Sequence, residues 1–179
     1  MSTTSIHGGK PARRSIIAGV DGSRQSVRAA AVAASLARGL ERRLVLVHVA
    51  ADPPVFPYGD LRVREAQRRR LVRRGLALLA VAASEIREEQ ARRRVVLSGI
   101  AHGGLQERLD AVAREEHADL LVVGARGRHP VARALLGSPS TPMGGTGSCP
   151  VLVVPPGDGD PFAGRERPRV AGLEPAQQT

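Results

Sequence analysis

Leu120-Leu121-Val122-Val123-Gly124-Ala125-Arg126-Gly127 is the stretch whose reading decides the fold. An unbroken aliphatic run leaves no polar face. It reads as a strand buried on both sides, and such strands belong to parallel sheets covered by helices. The glycines that follow let the backbone turn and approach a ligand closely. Upstream, Ser15-Ile16-Ile17-Ala18-Gly19-Val20 stops at Asp21-Gly22-Ser23. Leu44 to Val49 is a second continuous apolar run, Val95-Val96-Leu97 a third, and Val151-Leu152-Val153-Val154 closes the series.

Helical patterns separate these runs. Ser23 can cap an Ala-rich helix over about 24–40 that ends near Gly39. Residues 50–60, with Pro53, Pro54, Pro57 and Gly59, read as a loop. Leu71, Leu78, Ala82 and Ile86 share one face of a helix over 61–92. Leu105, Leu109, Val112 and Ala113 do the same over 104–117. Alternating strands and helices predict an α/β fold: a single open five-stranded parallel sheet with helices on both faces, Rossmann-like, with right-handed crossovers. The domain is expected to span 13–155, between disordered tails at 1–12 and 156–179.

Composition narrows the function. Among 179 residues the only aromatics are Phe56, Tyr58 and Phe162, so the core is Val, Leu, Ile and Ala. The formal net charge is +10, carried almost wholly by Arg, with Lys10 the sole lysine. That balance can signal nucleic acid, but the aromatics that stack on bases are missing, which disfavours it. The run Arg62, Arg64, Arg68, Arg69, Arg70, Arg73 and Arg74 is read as a solvated helix face. Cys149 is the only cysteine, which excludes an internal disulfide and fits a cytoplasmic protein. Arg13-Arg14 precedes an apolar run too short for an export signal, and Ala29–Ala37 is too short to span a membrane.

Several chemistries are absent from the motifs. There is no Gly-x-x-x-x-Gly-Lys-Ser/Thr loop, no Gly-x-Gly-x-x-Gly after the first strand, and no Gly-x-Ser-x-Gly elbow. His7, His48, His102, His117 and His129 do not pair at metal-ligand spacing. His48 is expected to be packed in its strand, and Cys149 to be a small buried residue. Glu88-Glu89 and Glu115-Glu116 are adjacent on helices and point apart, so each is read as a solvated face.

Doubly wound sheets bind ligands at the carboxyl ends of strands, where strand order reverses. If strands one and four are neighbours there, Asp21 faces the glycines of Gly124-Ala125-Arg126-Gly127 across one crevice. Successive N–H groups of that loop can nest an anion. Gly137-Ser138 reads as a cap before a helix whose first position is Pro139, a placement proline suits. A helix N-terminus favours phosphate, Ser138 and Ser140 add hydroxyls, and Arg126, Arg128 and Arg133 can reach phosphate directly.

Gly124, Gly127, Gly137 and Ser138 stand at the spacing Gly-x2-Gly-x9-Gly-Ser. With Ile17–Ser23, Leu46–Val49, Ala118–Gly124 and Cys149–Val154 around it, the chain resembles the universal stress protein family over about residues 13–155. The resemblance implies the ATP-binding subgroup and an adenine nucleotide alpha hydrolase-like sheet. It implies that Val20, Asp21 and Val49 flank adenine and ribose. Val123, Gly124 and Gly127 would contact ribose and phosphates, and Gly137, Ser138 and Ser140 the phosphate chain. ATP, or ADP or AMP, would be the ligand, with Mg²⁺ alongside, and a homodimer would form through Val151–Val154. The implied function is a nucleotide-dependent regulatory or stress-response module. No positioned general base is evident, so hydrolysis should be slow and the chain is expected not to be an enzyme. Pro139 and the residues Pro142, Gly144, Gly145 and Gly147 depart from the family pattern. They motivate an alternative, a dimeric interaction module with a vestigial site. A basic nucleic-acid-associated protein is the other.

Overall fold

A computed structural model describes residues 14–52, 61–99, 104–125 and 148–156. The expected N-terminal tail, the C-terminal tail from 157 on, the loop at 53–60, residues 100–103 and the segment from Arg126 to Gly147 lie outside them. The elements run β1 (Ser15–Gly19), α1 (Arg24–Gly39), β2 (Arg43–Ala51), α2 (Leu61–Glu85), β3 (Arg92–Ser98), α3 (Leu105–Glu115), β4 (Ala118–Gly124) and β5 (Val151–Val154). The strands form one parallel sheet in the order β3-β2-β1-β4-β5. The first strand therefore lies at the centre, and strand order reverses between β1 and β4. Among the described residues, no helix is long and apolar enough to cross a membrane.

Each face of the sheet carries its own core. α1 and α2 cover one face, where Ile16, Ala18, Leu44, Leu46 and Val122 meet Ala29, Ala30, Ala33, Leu79 and Ala83. α3 covers the other, where Ile17, Val45, Val47, Leu121 and Val123 meet Leu109, Val112 and Ala113. The period of two along each strand sends alternate residues to opposite faces. Alanines on α1 bring its axis close to the central strands. Ser23 caps α1 as expected, its Oγ accepting the Ser26 N–H at 3.2 Å.

α2 departs from the sequence reading in length and in anchorage. It ends at Glu85, not 92, because the chain reverses there: Glu88 N–H donates to Ala83 O at 2.8 Å with Arg87 left-handed at φ 58°. β3 then starts at Arg92, three residues before the apolar run. The centre of the buried face is Gly75 and Leu79 rather than Leu71 and Leu78. A Cβ on Gly75 would lie 2.7 Å from Val95 Cγ2 and 3.0 Å from His48 Cδ2, so the helix seats directly on β2 and β3.

Two ionic clusters correct the solvated-face readings. Arg64 and Arg68 turn inward to the Asp52 carboxylate at the end of β2. Arg68 binds it at both oxygens, Nε to Oδ1 at 2.8 Å and Nη2 to Oδ2 at 2.6 Å, and Arg64 Nη2 reaches Oδ2 at 3.0 Å. The hydrogen bond from Arg68 holds the Asp52 carboxyl below the usual carboxylate range, against the opposing pull of burial. Glu116, expected at a helix surface, is 2 % exposed. α3 stops at Glu115, and His117 adopts a left-handed φ of 49°, which folds Glu116 in beneath the sheet. There Arg94 Nη1 and Arg92 Nε lie 2.9 and 3.3 Å from Glu116 Oε1. At the same end Asp119 takes Arg14 Nη1 at 2.8 Å and Arg42 Nε at 2.7 Å, which depresses its carboxyl as well.

Candidate functional site

The crevice opens where β1 and β4 stop pairing. Their register runs to Ala18↔Val122 and no further. Beyond it each strand turns to its other neighbour: Val20 N–H donates to Val47 O at 2.8 Å, and Ala125 N–H to Val154 O at 2.9 Å. The strands thus separate at their carboxyl ends, with Gly19-Val20-Asp21 on one side and Gly124-Ala125 on the other. This is the geometry that places ligands at a switch point. A Cβ on Gly19 would stand 3.3 Å from Val123 Cγ1, so the two strands touch at the root of the gap.

Five of the sequence-predicted site residues are described, and they converge here. Val20, Val49 and Val123 are buried side chains. Val20 packs toward α1 and α2, and Val49 and Val123 toward α3, so they form the apolar walls. Asp21 follows β1 and is 8 % exposed. Its Oδ1 accepts the Ser23 N–H at 2.9 Å, and its own N–H donates to Ser26 Oγ at 3.2 Å. Gly22 between them has φ +81°, a left-handed turn that other residues adopt only under strain. The carboxylate is therefore held in a rigid turn at the mouth of the crevice. Gly124 ends β4, opposite Val154. Arg126, Gly127, Gly137, Ser138 and Ser140 lie outside the described residues.

Two contributions escaped the sequence reading. Leu105 and Leu109 of α3 join Gly19, Val20, Asp21 and Val49 around a small, half-open hollow of about 20 Å³. It would hold one water molecule, so a larger ligand would lie over this floor. Their helical spacing marked them as core, and nothing in it marked the crevice. The second is His48. Its Nδ1 lies 2.8 Å from Val20 O. A carbonyl only accepts, so Nδ1 carries the hydrogen, and the packed histidine fixes the backbone at the start of the site. Cys149 is buried against the α3 side of the core, as expected. Among the described residues no group of three or more His, Cys, Asp or Glu side chains could hold a metal ion.

Comparison with known proteins agrees with this frame. The model of the universal stress protein family matches residues 12–155. A universal stress protein from Thermus aquaticus, encoded 3′ to a QAH/OAS sulfhydrylase, is 36% identical over 149 residues, covering 79% of this chain and 98% of the relative. A universal stress protein family structure from Burkholderia pseudomallei shares 28% identity at a TM-score of 0.53, covering 83% of this chain and 100% of that one. A universal stress protein solved in complex with cAMP shares the fold at 23% identity and a TM-score of 0.53, with 80% and 97% coverage. The family model matches most of the chain and the relative from Thermus aquaticus is 36% identical, and the chain belongs to the universal stress protein family.

Proposed function

We propose that this chain is an ATP-binding regulatory module of the stress response, cytoplasmic and without a catalytic role of its own. The observation that carries the reading is the parting of β1 and β4 beyond Ala18↔Val122, which puts Asp21 and Gly124 on opposite lips of one crevice. The residues fit an adenine nucleotide. Val20 and Val49 offer an apolar wall for a base, and the Asp21 carboxylate is an acceptor for ribose hydroxyls. The glycine spacing of Gly124, Gly127 and Gly137 suits backbone approach to phosphates. Ser138 and Ser140 would add hydroxyls, and Arg126 a guanidinium. Mg²⁺ would arrive with the triphosphate, since it keeps most of its waters and needs few protein ligands. The relative solved with cAMP supports an adenine nucleotide as the class. ADP and AMP are the competing ligands.

The same reading includes a homodimer through β5. This strand is an edge of the sheet, and Leu152 on it is 37% exposed. Pairing with a second copy would cover both the edge and that side chain.

Isothermal calorimetry with ATP and Mg²⁺ tests the site. Binding below millimolar is expected, and Gly127→Val should abolish it while leaving the circular dichroism spectrum intact. At a ligand concentration of 100 times Kd, the protein should gain ~2.7 kcal/mol. No heat and no thermal shift at millimolar ATP would instead favour the module with a vestigial site. Mass spectrometry of any co-purified small molecule separates ATP from ADP and AMP.

A further inference from the structure

The lip of the crevice that carries Asp21 hangs from one side of the sheet. Beyond Ala18↔Val122 the first strand has left β4, so among the described residues Val20 keeps a strand neighbour on the β2 side alone. There its N–H donates to Val47 O at 2.8 Å. The next peptide unit, which joins Val20 to Asp21, is held by side chains. His48 Nδ1 donates to its oxygen, Val20 O, at 2.8 Å. Its nitrogen, the Asp21 N–H, donates to Ser26 Oγ at 3.2 Å. One peptide plane is gripped at both edges, by β2 through a histidine and by α1 through a serine.

Both grips are themselves fixed. The Ser26 hydroxyl gives its hydrogen to Ser23 O at 2.9 Å, which leaves a lone pair for the Asp21 N–H. His48 lies two residues on from Leu46 and shares its face beneath α2. A Cβ on Gly75 would stand 3.0 Å from His48 Cδ2, so the ring has little room to swing. A peptide unit moves as a rigid plane between the residues it joins. Holding this plane sets the direction in which the Asp21 side chain leaves the backbone. The Ser23 N–H then holds its Oδ1 at 2.9 Å.

On the adenine-nucleotide reading of the crevice, we propose that His48 is a positioning residue for the ligand. Its Nδ1–H aims the Asp21 carboxylate and seats the Val20 wall, and nucleotide affinity depends on that one hydrogen. If volume alone mattered here, an apolar side chain would serve as well. A backbone acceptor stripped of its donor turns toward another N–H or water, and the plane turns with it. Binding groups need placing to within about 0.5 Å, so such a turn carries the carboxylate off the ribose hydroxyls. The bond also selects the donor atom. Asn carries an N–H at the δ position, as Nδ1 does, whereas Gln carries it one bond farther out.

Calorimetry with ATP and Mg²⁺ on the full chain compares the parent with His48→Asn, His48→Gln and His48→Leu. Kd should rise about tenfold in His48→Leu and His48→Gln, and stay within about threefold of the parent in His48→Asn. Ser26→Ala releases the other edge of the same peptide. Combined with His48→Leu it should weaken binding by less than the product of the single effects. Ile86→Val trims the same core just past the end of α2. It should lower the melting temperature and leave Kd unchanged. In the ligand-free protein, hydrogen exchange read by NMR should be about tenfold faster at the Asp21 amide in His48→Leu than in His48→Asn. Circular dichroism checks that each variant is folded. Equal Kd across the His48 variants, no rescue by Asn, or a Kd that follows melting temperature through Ile86→Val would overturn the proposal. A parent chain that binds no ATP overturns the nucleotide reading and this inference with it. A parent that binds, with variants that match it, overturns this inference alone.

Discussion

Replacing Gly75 by Ala should destabilise the protein, although alanine is the better helix former. In a solvent-facing helix the exchange gains ~1 kcal/mol. Here the new methyl would sit 2.7 and 2.9 Å from the two γ-carbons of Val95 and 3.0 Å from His48 Cδ2. Neither neighbour yields easily. Val95 is β-branched, with few rotamers open to it. His48 is held by its 2.8 Å hydrogen bond to Val20 O. Overpacking of this kind costs about 1–3 kcal/mol. With two neighbours braced, the cost falls in the upper half of that range, leaving a net loss of roughly 1 kcal/mol or more. That corresponds to about 2–4 °C in melting temperature per kcal/mol for a chain of this size. Urea titration of the ligand-free protein measures it. Gly39→Ala is the internal control, since nothing lies within 4 Å of a Cβ there. A Val95→Ala partner should restore most of the loss, a coupling that the double-mutant cycle reads directly. If Gly75→Ala raised stability as much as a helix-surface exchange does, the close seating of α2 on β2 and β3 would be wrong.

Three further outcomes follow from the ionic clusters and the helix ends. Asp52 has a folded pKa lowered by Arg68 and Arg64, so its stabilisation is full above the unfolded value of ~3.9 and fades as pH falls through the lower folded value. Asp52→Asn should therefore be less stable than the parent at pH 7, and the gap should narrow toward pH 3. Parallel urea midpoints across that range would refute it. Glu116→Gln leaves Arg94 and Arg92 facing a neutral amide at a buried site, and should cost about 1–3 kcal/mol by urea titration, tempered because Arg92 is 57% exposed. Arg87 is exposed and left-handed at φ 58°, so Arg87→Gly should relieve ~1–2 kcal/mol of strain, less about 0.5–1 for glycine's extra freedom when unfolded. A small rise in melting temperature is expected, and a fall would count against that backbone geometry.

The strands were legible because each is apolar on both faces, and only a parallel sheet clad in helices buries such runs. The switch point was legible for the same reason, since Asp21 and Gly124 each end such a run. What escaped has a shared cause: the signals lay outside local periodicity. Glu116 looks solvated beside Glu115, because its burial depends on Arg92 and Arg94 of β3 and on a left-handed His117. Arg64 and Arg68 look like their exposed neighbours, because Asp52 is reached only once β2 and α2 are packed. The end of α2 was missed because Arg87 takes a left-handed conformation where glycine would have announced it. Gly75 reads as a helix weakness until the close neighbour appears.

The central position of β1 has a consequence for how the chain is assembled on the ribosome. Its partner β4 arrives late; the contact from Ser15 Oγ to Glu116 O already spans 101 positions. Residues 14–99 can lay down β1, β2 and β3 with α1 and α2 over one face. The opposite face, with Ile17, Val45, Val47 and Val96, stays bare until α3 emerges. One hydrogen-bonding edge of β1 stays open until β4 follows. The nascent protein thus carries a sticky surface through much of its synthesis, and the crevice between β1 and β4 is among the last features it acquires. A chain truncated after Ser98 should aggregate or recruit chaperones, with neither the crevice nor a closed core.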